Sequence, residues 1–203
     1  MPNSYKVIVF DLGDVLLKVD SRRLIDKLNK VEAGLGERFH SLYFENYHIH
    51  CEYEKNNISQ EEFTDKMLSW LNYKISAEEF NNFYSDLFSP ITDTINLLPL
   101  LKQNYQLVLL SNTNFIHQKY GWEKYEFLKY FDKMILSHEV GARKPENKIY
   151  KAVENFTGSY PSKHFFIDDL IENVEAAKNM GWDAFQFTFT NSISEVLKKK
   201  QII

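Results

Sequence analysis

The sequence predicts an α/β fold, in which a parallel sheet is flanked by helices and a helical subdomain is inserted near the N-terminus. Two observations predict it. Short apolar runs alternate with helical patterns in the second half of the chain, and one long interval in the first half breaks this alternation. A chain of 203 residues is long enough for one core with such an insert. The predicted bounds are 1–18 and 90–203 for the sheet domain and 19–89 for the insert.

Strands are predicted where short apolar runs lie between turn signals, and helices where apolar residues recur at helical spacing. The predicted strands are 6–10, 106–110, 133–136, 164–167 and 184–187. The predicted helices are 92–102, 114–125, 146–156, 171–180 and 192–199. Pro145 stands where the first turn of a helix tolerates proline, and Gly181 stands where a C-terminal cap is expected.

The insert shows no convincing strand pattern between residues 21 and 88. Two capping boxes, Ser59 with Glu62 and Ser76 with Glu79, mark the starts of amphipathic helices within it. Its many aromatic residues are expected to form mostly its own core, with a minority facing a ligand. A Ser-Pro pair at 89–90 predicts the return of the chain to the main sheet.

The composition argues against several classes of partner. The net charge of −4 and a pI near 5.9 offer no electrostatic footprint for nucleic acid or an anionic membrane. A single cysteine, Cys51, excludes an intrachain disulfide and fits a reducing compartment. Because the sequence shows neither a signal-peptide pattern nor an apolar run long enough to cross a bilayer, a cytoplasmic location is expected. The oligomeric state is left open.

The first candidate site residue, Asp11, ends the apolar run 7–10 and is followed by Gly13 and Asp14. Ligands of open α/β sheets bind beyond the carboxyl ends of the strands, so Asp11 is expected to direct its charge into that crevice. The alternative is an ordinary polar turn, since Asp and Gly are common turn residues.

Small hydroxyl and amide residues follow the strand predicted at 106–110. The hydroxyls of Ser111 and Thr113 and the backbone amides around Asn112 are donors that suit phosphate oxygens. The alternative is that these three residues only cap the next helix.

Two cations, Arg143 and Lys144, precede the helix predicted at 146–156. Positive side chains are disfavoured at helix N-termini, so a nearby anion is expected. Lys144 is the candidate to hold a phosphate oxygen and a nucleophile, whereas Arg143 either faces solvent or pairs with an acid.

Two adjacent carboxylates, Asp168 and Asp169, end the strand predicted at 164–167. Neighbouring carboxylates repel each other unless a cation neutralises them. Together with Asp11 they form an oxygen-rich cluster of the kind that Mg²⁺ binds. One acid at a strand end is weak evidence, but four segments in the order acid, hydroxyl, lysine and paired acids are strong evidence.

This order of motifs resembles that of the haloacid dehalogenase-like (HAD) hydrolase superfamily over nearly the full length of the chain. The resemblance is closest to its bacterial α-D-glucose-1-phosphate phosphatase branch. The segments that carry it are 10–13, 110–114, 143–146 with Ile149 and Tyr150, and 168–169 with Asn173; His117, Trp122, Glu123 and Tyr125 also match.

The resemblance implies a Rossmann-like core with an α-helical cap inserted after the first motif. It implies that Asp11 is a nucleophile that forms an aspartyl-phosphate, which water then hydrolyses. The cofactor would be Mg²⁺, held by Asp11, the Gly13 carbonyl oxygen and Asp169, with Asp168 bound directly or through water.

The same resemblance implies that Ser111, the Asn112 amide and Lys144 bind the transferring phosphoryl group, whose reaction depends on positioning and charge. The implied activity is hydrolysis of a small sugar phosphate, such as glucose 1-phosphate.

One position departs from the superfamily pattern, because Gly13 stands where a second aspartate usually acts as general acid and base. The glycine carbonyl oxygen remains available to a metal ion, but the side-chain acid is missing. Asp14 is a candidate replacement, and the alternative is that it caps the turn.

Cap residues are expected to select the substrate by closing over the site. Glu54 and either His48 or His50 are candidates for contacting the leaving group, although histidines more often pack or face solvent. Trp122 and Tyr125 either line the entrance or pack in the core.

Three other functions compete with a phosphatase. A phosphomutase would return the phosphoryl group to a sugar, and Gly13 weakens that reading. Haloacid dehalogenation needs no metal, so the pair Asp168 and Asp169 argues against it. A catalytically silent binding or regulatory module is favoured only by Gly13. The joint presence of four residues argues against it: Asp11, Ser111, Lys144 and Asp169.

Overall fold

The computed structural model describes residues 5–203. Its strands are β1 (Val7–Phe10), β2 (Leu17–Val19), β3 (Phe88–Pro90), β4 (Gln106–Ser111), β5 (Lys133–Leu136), β6 (His164–Asp168) and β7 (Asp183–Gln186). Its α-helices are α1 (Arg22–Val31), α2 (Leu35–Glu45), α3 (Tyr47–Glu54), α4 (Gln60–Trp70), α5 (Ala77–Ser85), α6 (Thr92–Ile95), α7 (Leu98–Leu101), α8 (Ser137–Val140), α9 (Asn147–Thr157), α10 (Ile171–Asn179) and α11 (Ile193–Lys199). None of these helices, all within 5–203, is long and apolar enough to span a bilayer.

Five parallel strands form the main sheet in the order β5-β4-β1-β6-β7. The central strand β1 is paired on both sides, with Phe10 opposite Leu109 of β4 and Ile167 of β6. All four β1 residues are fully buried, as expected for a parallel sheet covered on both faces. This register brings the carboxyl ends of three strands to one edge, and the predicted α/β fold class is confirmed.

Helices cover both faces of this sheet, so the core has two halves. Ile8 and Phe10 of β1 face one half, to which α7 and α11 contribute leucines and isoleucine. Val7 and Val9 face the other half, which is filled from α9 and α10 and includes Tyr150. The alternation follows from the two-residue period of a strand.

The insert has its own hydrophobic core, built largely from aromatic and leucine side chains of α1–α5. Phe39, Phe63 and Phe80 are each almost completely buried there, as the sequence predicted for most aromatic residues of this segment. Both predicted capping boxes are formed, at the starts of α4 and α5. The domain bounds themselves stay a prediction, and the first four residues of the range 1–18 lie outside the described part.

A two-stranded antiparallel ribbon, β2 with β3, joins the insert to the core and was not predicted. Each strand has three residues, which is too short for an alternating pattern to be recognised. Leu17 lies opposite Pro90 and Val19 opposite Phe88, so the two chain segments that connect the core to the insert run side by side.

Two predicted helices have a different form in the structure. The segment 92–102 divides into α6 and α7, because Pro99 in the first turn of α7 has no N–H to continue the earlier helix. The segment 114–125 contains a π-helical stretch, His117–Trp122, followed by the 3₁₀ segment Glu126–Tyr130. Gly121 in the π-helical stretch is close to the insert, since a Cβ there would lie 2.7 Å from the Phe88 ring.

Two terminal signals can be compared with the structure directly. Helix α9 begins at Asn147 with Glu146 as its N-cap, so Pro145 lies outside the helix and not in its first turn. Gly181 follows the C-cap Met180 of α10 with φ of 87°, as expected for a helix-terminating glycine.

Gly36 is the position where the insert is least tolerant of a larger side chain. It lies in α2 against α1, and an added Cβ would be 2.3 Å from the Ile25 carbonyl oxygen. We expect Gly36→Ala to lower the free energy of unfolding by about 1–3 kcal/mol, because a backbone clash of this kind forces the helices apart.

Urea unfolding followed by circular dichroism measures this effect, with exposed Ser41→Ala on the same helix as the matched control. Equal stability of the two variants would contradict the close packing of α1 on α2.

Candidate active site

Side chains from four segments meet beyond the carboxyl ends of the central strands. Asp11 follows β1, Ser111 ends β4, Lys144 lies in the loop before α9, and Asp168 ends β6. The four predicted motifs are therefore brought together at one edge of the sheet.

Lys144 is the centre of this group and is only 3% exposed. Its Nζ donates to Asp11 Oδ1 at 2.6 Å, to Asp168 Oδ2 at 2.7 Å and to the Leu110 carbonyl oxygen at 3.0 Å. Burial alone would lower the pKa of Lys144, but the contacts with the two carboxylates raise this pKa above its ordinary value. The lysine is therefore a permanent cation between two strands.

The backbone of Lys144 is fixed by the Asn112 side chain. Lys144 N–H donates to Asn112 Oδ1 at 2.7 Å, and Asn112 Nδ2 donates to the Lys144 carbonyl oxygen at 2.9 Å. Sequence reasoning assigned Asn112 a backbone role only, and this paired clamp depends on two loops that lie far apart in the chain.

The three predicted acids form a compact group in which one carboxylate oxygen of each lies within 4.8 Å of the others. Asp168 is fully buried, and its Oδ1 accepts from the Leu170 N–H at 2.9 Å and from Asn173 Nδ2 at 3.0 Å. Asp169 is half-buried, and Gln186 Nε2 donates to its backbone carbonyl oxygen.

Electrostatics in this group favour a bound cation. Burial raises the pKa of the Asp11 carboxyl; Lys144 opposes this rise, and the charge of Asp168 adds to it. Burial and the neighbouring Asp168 raise the pKa of Asp169 to about 6. A divalent cation would relieve this repulsion, and three clustered carboxylates are the hard oxygen ligands that Mg²⁺ takes. The residues present therefore fit the Mg²⁺ cofactor.

The segment 111–113 at the end of β4 is fixed by Ser137, which directly follows the neighbouring strand β5. Ser111 is 2% exposed, and its Oγ lies 3.4 Å from the Asn112 carbonyl oxygen, which leaves it free to turn toward a ligand. Thr113 N–H donates to Ser137 Oγ at 2.9 Å, and Ser137 Oγ–H donates to the Thr113 carbonyl oxygen at 2.8 Å. Sequence reasoning missed Ser137, although it follows the predicted strand 133–136 in the same way that the other site residues follow theirs.

The turn after β1 contains Gly13 and Asp14. Asp14 has a φ of 50°, its N–H donates to the Leu17 carbonyl oxygen, and its Oδ1 accepts from the Val19 N–H at 3.1 Å. Burial raises the pKa of Asp14. These contacts brace the turn that leads into β2, which was the alternative to a catalytic role for this residue.

A cavity of about 260 Å³ extends from this edge of the sheet to the insert. At the core end it is lined by Gly13, Ser111 and Asn112, and elsewhere mostly by apolar and aromatic side chains. Its size is at the lower limit of ligand pockets and suits a small leaving group.

Polar groups of the insert form one part of the cavity wall. His50 Nδ1 lies 2.6 Å from Tyr43 Oη and 2.9 Å from Tyr84 Oη, and His50 Nε2 lies 3.1 Å from Glu54 Oε1. Tyr43 and Tyr84 had only their aromatic character as a signal, which did not separate them from the core residues around them. His48 is exposed and lies on the opposite side of α3, as two residues turn a helix by about 200°.

Glu54 lines the cavity and also contacts the core. Arg143 Nε donates to Glu54 Oε2 at 2.5 Å, so Arg143 pairs with an acid, which was one of its two predicted alternatives. Burial would raise the pKa of the Glu54 carboxyl, but His50 and Arg143 hold this pKa at about 2. The carboxylate is therefore ionised throughout the neutral range.

The two aromatic candidates at the entrance have structural contacts. Trp122 is fully buried, and its Nε1 donates to Thr113 Oγ1 at 3.2 Å, while its ring also lines the cavity. Tyr125 Oη donates to the Phe88 carbonyl oxygen at 3.1 Å.

Comparison with known proteins places these motifs in context. A family model described as haloacid dehalogenase-like hydrolase matches residues 8–187. D-ribitol-5-phosphate phosphatase from Bacteroides thetaiotaomicron is 27% identical over 191 residues, which is 89% of this chain and 91% of that protein. Glyceraldehyde 3-phosphate phosphatase from Pyrococcus furiosus is 25% identical over 197 residues, which is 91% of this chain and 81% of that protein.

A solved structure gives a similar picture. A HAD family enzyme from Bacteroides thetaiotaomicron, crystallised with magnesium and inorganic phosphate, superimposes with a TM-score of 0.82 and 29% sequence identity. The match covers 95% of this chain and 98% of that one.

Mg²⁺ is expected to raise the melting temperature, because a ligand that binds only the folded state at a hundredfold excess over its Kd stabilises it by about 2.7 kcal/mol. Asp169→Asn should lose most of this rise, since it removes one charge from the acid cluster. Differential scanning fluorimetry with increasing Mg²⁺ measures both.

Glu175→Gln, an exposed change on α10, is the matched control and should keep the full response. An undiminished Mg²⁺ response in Asp169→Asn would exclude Asp169 from the metal site.

Proposed function

This chain belongs to the haloacid dehalogenase-like hydrolase family, and we propose that it is a Mg²⁺-dependent phosphatase that releases inorganic phosphate from a small sugar or polyol phosphate. The observation that carries the proposal is the contact of Lys144 with both Asp11 and Asp168 beside a third acid, Asp169. A lysine that neutralises a nucleophile and a metal-binding acid together is suited to phosphoryl transfer.

The relatives support the substrate class. Two of them are named for hydrolysis of D-ribitol 5-phosphate and glyceraldehyde 3-phosphate, both small phosphorylated polyols or sugars. A cavity of about 260 Å³ accommodates leaving groups of that size. Glucose 1-phosphate is one member of the proposed class.

In the first step Asp11 attacks phosphorus, the phosphorus–oxygen bond to the leaving group breaks, and its electron pair goes to the departing oxygen. Ser111 Oγ–H, the Asn112 N–H and Lys144 Nζ bind the phosphoryl oxygens as charge spreads over them. When bound to Asp11, the Gly13 carbonyl oxygen, Asp168 and Asp169, Mg²⁺ supplies further neutralisation of the phosphoryl charge. Of the pair, Asp169 would be the direct ligand and Asp168 would bind directly or through water, because both carboxylate oxygens of Asp168 already accept hydrogen bonds from protein groups.

In the second step water attacks the phosphorus of the aspartyl-phosphate, and the phosphorus–oxygen bond to Asp11 breaks with its electron pair returning to the carboxylate. The proton lost by the attacking water passes to solvent, inorganic phosphate is released and Asp11 is restored. In the phosphomutase alternative, a sugar hydroxyl would attack the phosphorus of the aspartyl-phosphate in place of water. A silent binding module would need none of the contacts between Lys144 and the acids.

Protonation of the leaving oxygen is the step that Gly13 leaves without a side-chain acid. Asp14 was the candidate replacement, and its Oδ1 is engaged by the Val19 N–H at the turn. This contact favours the turn-bracing role over the catalytic one, so solvent is the proposed proton source.

Phosphate release from D-ribitol 5-phosphate, glyceraldehyde 3-phosphate and glucose 1-phosphate tests the proposed activity. We expect Mg²⁺-dependent turnover by the wild type and a loss of at least about a thousandfold in Asp11→Asn, since the amide is not a nucleophile. A cooperative melting transition and a far-ultraviolet circular dichroism spectrum like that of the wild type show that the variant is folded.

Turnover that persists in Asp11→Asn would contradict the aspartyl-phosphate. A folded wild type that binds Mg²⁺ but hydrolyses no phosphate ester would favour the silent binding module.

Gly13→Asp should accelerate hydrolysis of esters with poor leaving groups. A Cβ at Gly13 would meet only the Val19 Cγ2 at 3.5 Å, which is an ordinary contact, and Gly13 lines the cavity, so this position tolerates the start of a side chain. General-acid catalysis contributes about 10²–10⁴-fold, and we expect at least about a tenfold rise in kcat for D-ribitol 5-phosphate.

p-Nitrophenyl phosphate, whose leaving group needs no proton, should change by less than about twofold in the same variant. Gly13→Asn is the matched control because it adds equal bulk without an acid. Equal rates of Gly13→Asp and Gly13→Asn on both esters would show that proton donation is not what the site lacks.

A further inference from the structure

We propose that Glu54 is a positioning residue, which fixes the cavity wall of the insert to the core through Arg143 and does not bind the substrate. The inference rests on the proposed function for its kinetic consequence, but the contact itself can be tested without turnover.

The two oxygens of Glu54 are divided between the insert and the core. Oε1 lies 3.1 Å from His50 Nε2, one turn away on the same helix, and Oε2 accepts from Arg143 Nε at 2.5 Å. The Glu54 side chain is 5% exposed and that of Arg143 is 20% exposed. Each oxygen therefore already has a partner, and little of the carboxylate is left for a ligand.

Arg143 is a rigid anchor because the next residue is fixed. Lys144 is held through its backbone by Asn112 and through its Nζ by Asp11 and Asp168. An ion pair to such an arginine places helix α3 at a defined distance from the phosphoryl site. Removing one partner would leave the other charge buried without compensation.

His50 transmits this position to the cavity. With Nε2–H donated to the ionised Glu54, His50 Nδ1 is an acceptor, and the nearer hydroxyl, that of Tyr43 at 2.6 Å, donates to it. Tyr84 Oη lies 2.9 Å from the same nitrogen and 3.1 Å from Tyr43 Oη, so the three groups form one hydrogen-bonded cluster. Glu54 thus orients the histidine and, through it, the hydroxyls of two tyrosines that line the cavity. A displacement of such groups by only about 1 Å is enough to change the reaction rate, even when they lie away from the reacting atoms.

Cys51 provides a direct probe of the contact. It is the single cysteine of the chain, it is partly buried, and Arg143 Nη1 lies 3.0 Å from its Sγ. Separation of α3 from Arg143 would expose the thiol, so its rate of reaction with 5,5′-dithiobis(2-nitrobenzoate) reports the contact under native conditions.

The experiment compares Glu54→Gln, Arg143→Met and Arg143→Lys with the control Glu52→Gln. Glu52 lies on the same helix but pairs only locally, with Lys55 at 2.7 Å and Asn57 at 2.7 Å. We expect the thiol to react at least about fivefold faster in Glu54→Gln and Arg143→Met, with partial recovery in Arg143→Lys and no change in the control.

Kinetics separate positioning from direct binding. KM for D-ribitol 5-phosphate should rise about tenfold in both Glu54→Gln and Arg143→Met, whereas acetyl phosphate, whose leaving group is too short to reach α3, should be hydrolysed within about twofold of the wild-type rate.

A large effect of Glu54→Gln on KM without an effect of Arg143→Met would show that Glu54 binds the substrate and would overturn the proposal. Unchanged thiol reactivity in both variants would also overturn it. If the wild type hydrolyses neither ester, the proposed function fails, while the thiol rates still decide whether the contact holds the insert on the core.

Discussion

The structure depends above all on one buried ammonium group placed between two carboxylates. Asp11 and Asp168 follow adjacent central strands, and their charges would repel in an apolar interior if Lys144 did not lie between them. The lysine also bonds to the Leu110 carbonyl oxygen of the strand on the other side. The strand order brings the two carboxylates together, and the charge of Lys144 is needed to balance them. The loop that carries Lys144 therefore has to pack against this edge of the sheet.

The strands could be predicted because their residues are buried on both faces, which makes each one a continuous apolar run. The residues after β1, β4 and β6 could be predicted as a group for a topological reason, since parallel strands end at the same edge. The elements that the sequence did not predict depend on contacts between residues that are distant in sequence. The ribbon of β2 and β3 is too short for a pattern, and the π-helical stretch packs at Gly121 against Phe88, a residue from a distant part of the sequence.

The same distinction separates the parts of the site. Asp11, Ser111, Asp168 and Asp169 end or directly follow strands, so the topology of the sheet places them, whereas Lys144 reaches the same edge from the loop before α9. The clamp of Asn112 on Lys144, the bonds of Ser137 and the pair of Glu54 with Arg143 join segments whose approach no local pattern encodes. For Asp14 the residue type allowed two roles, and the bond from the Val19 N–H, which favours the turn-bracing role, joins it to a residue beyond the turn that no local pattern identifies.

The ribbon has a consequence for how such enzymes diversify. Val19 and Phe88 are paired residues, so the chain leaves the core and re-enters it across a gap of only about 5 Å. Everything between them can be shortened, lengthened or exchanged without moving either flanking strand, as is usual for tolerated insertions. Exchange of the whole insert would therefore change the substrate preference and leave the chemistry of the core in place, provided that the new insert again supplies an acid to pair with Arg143.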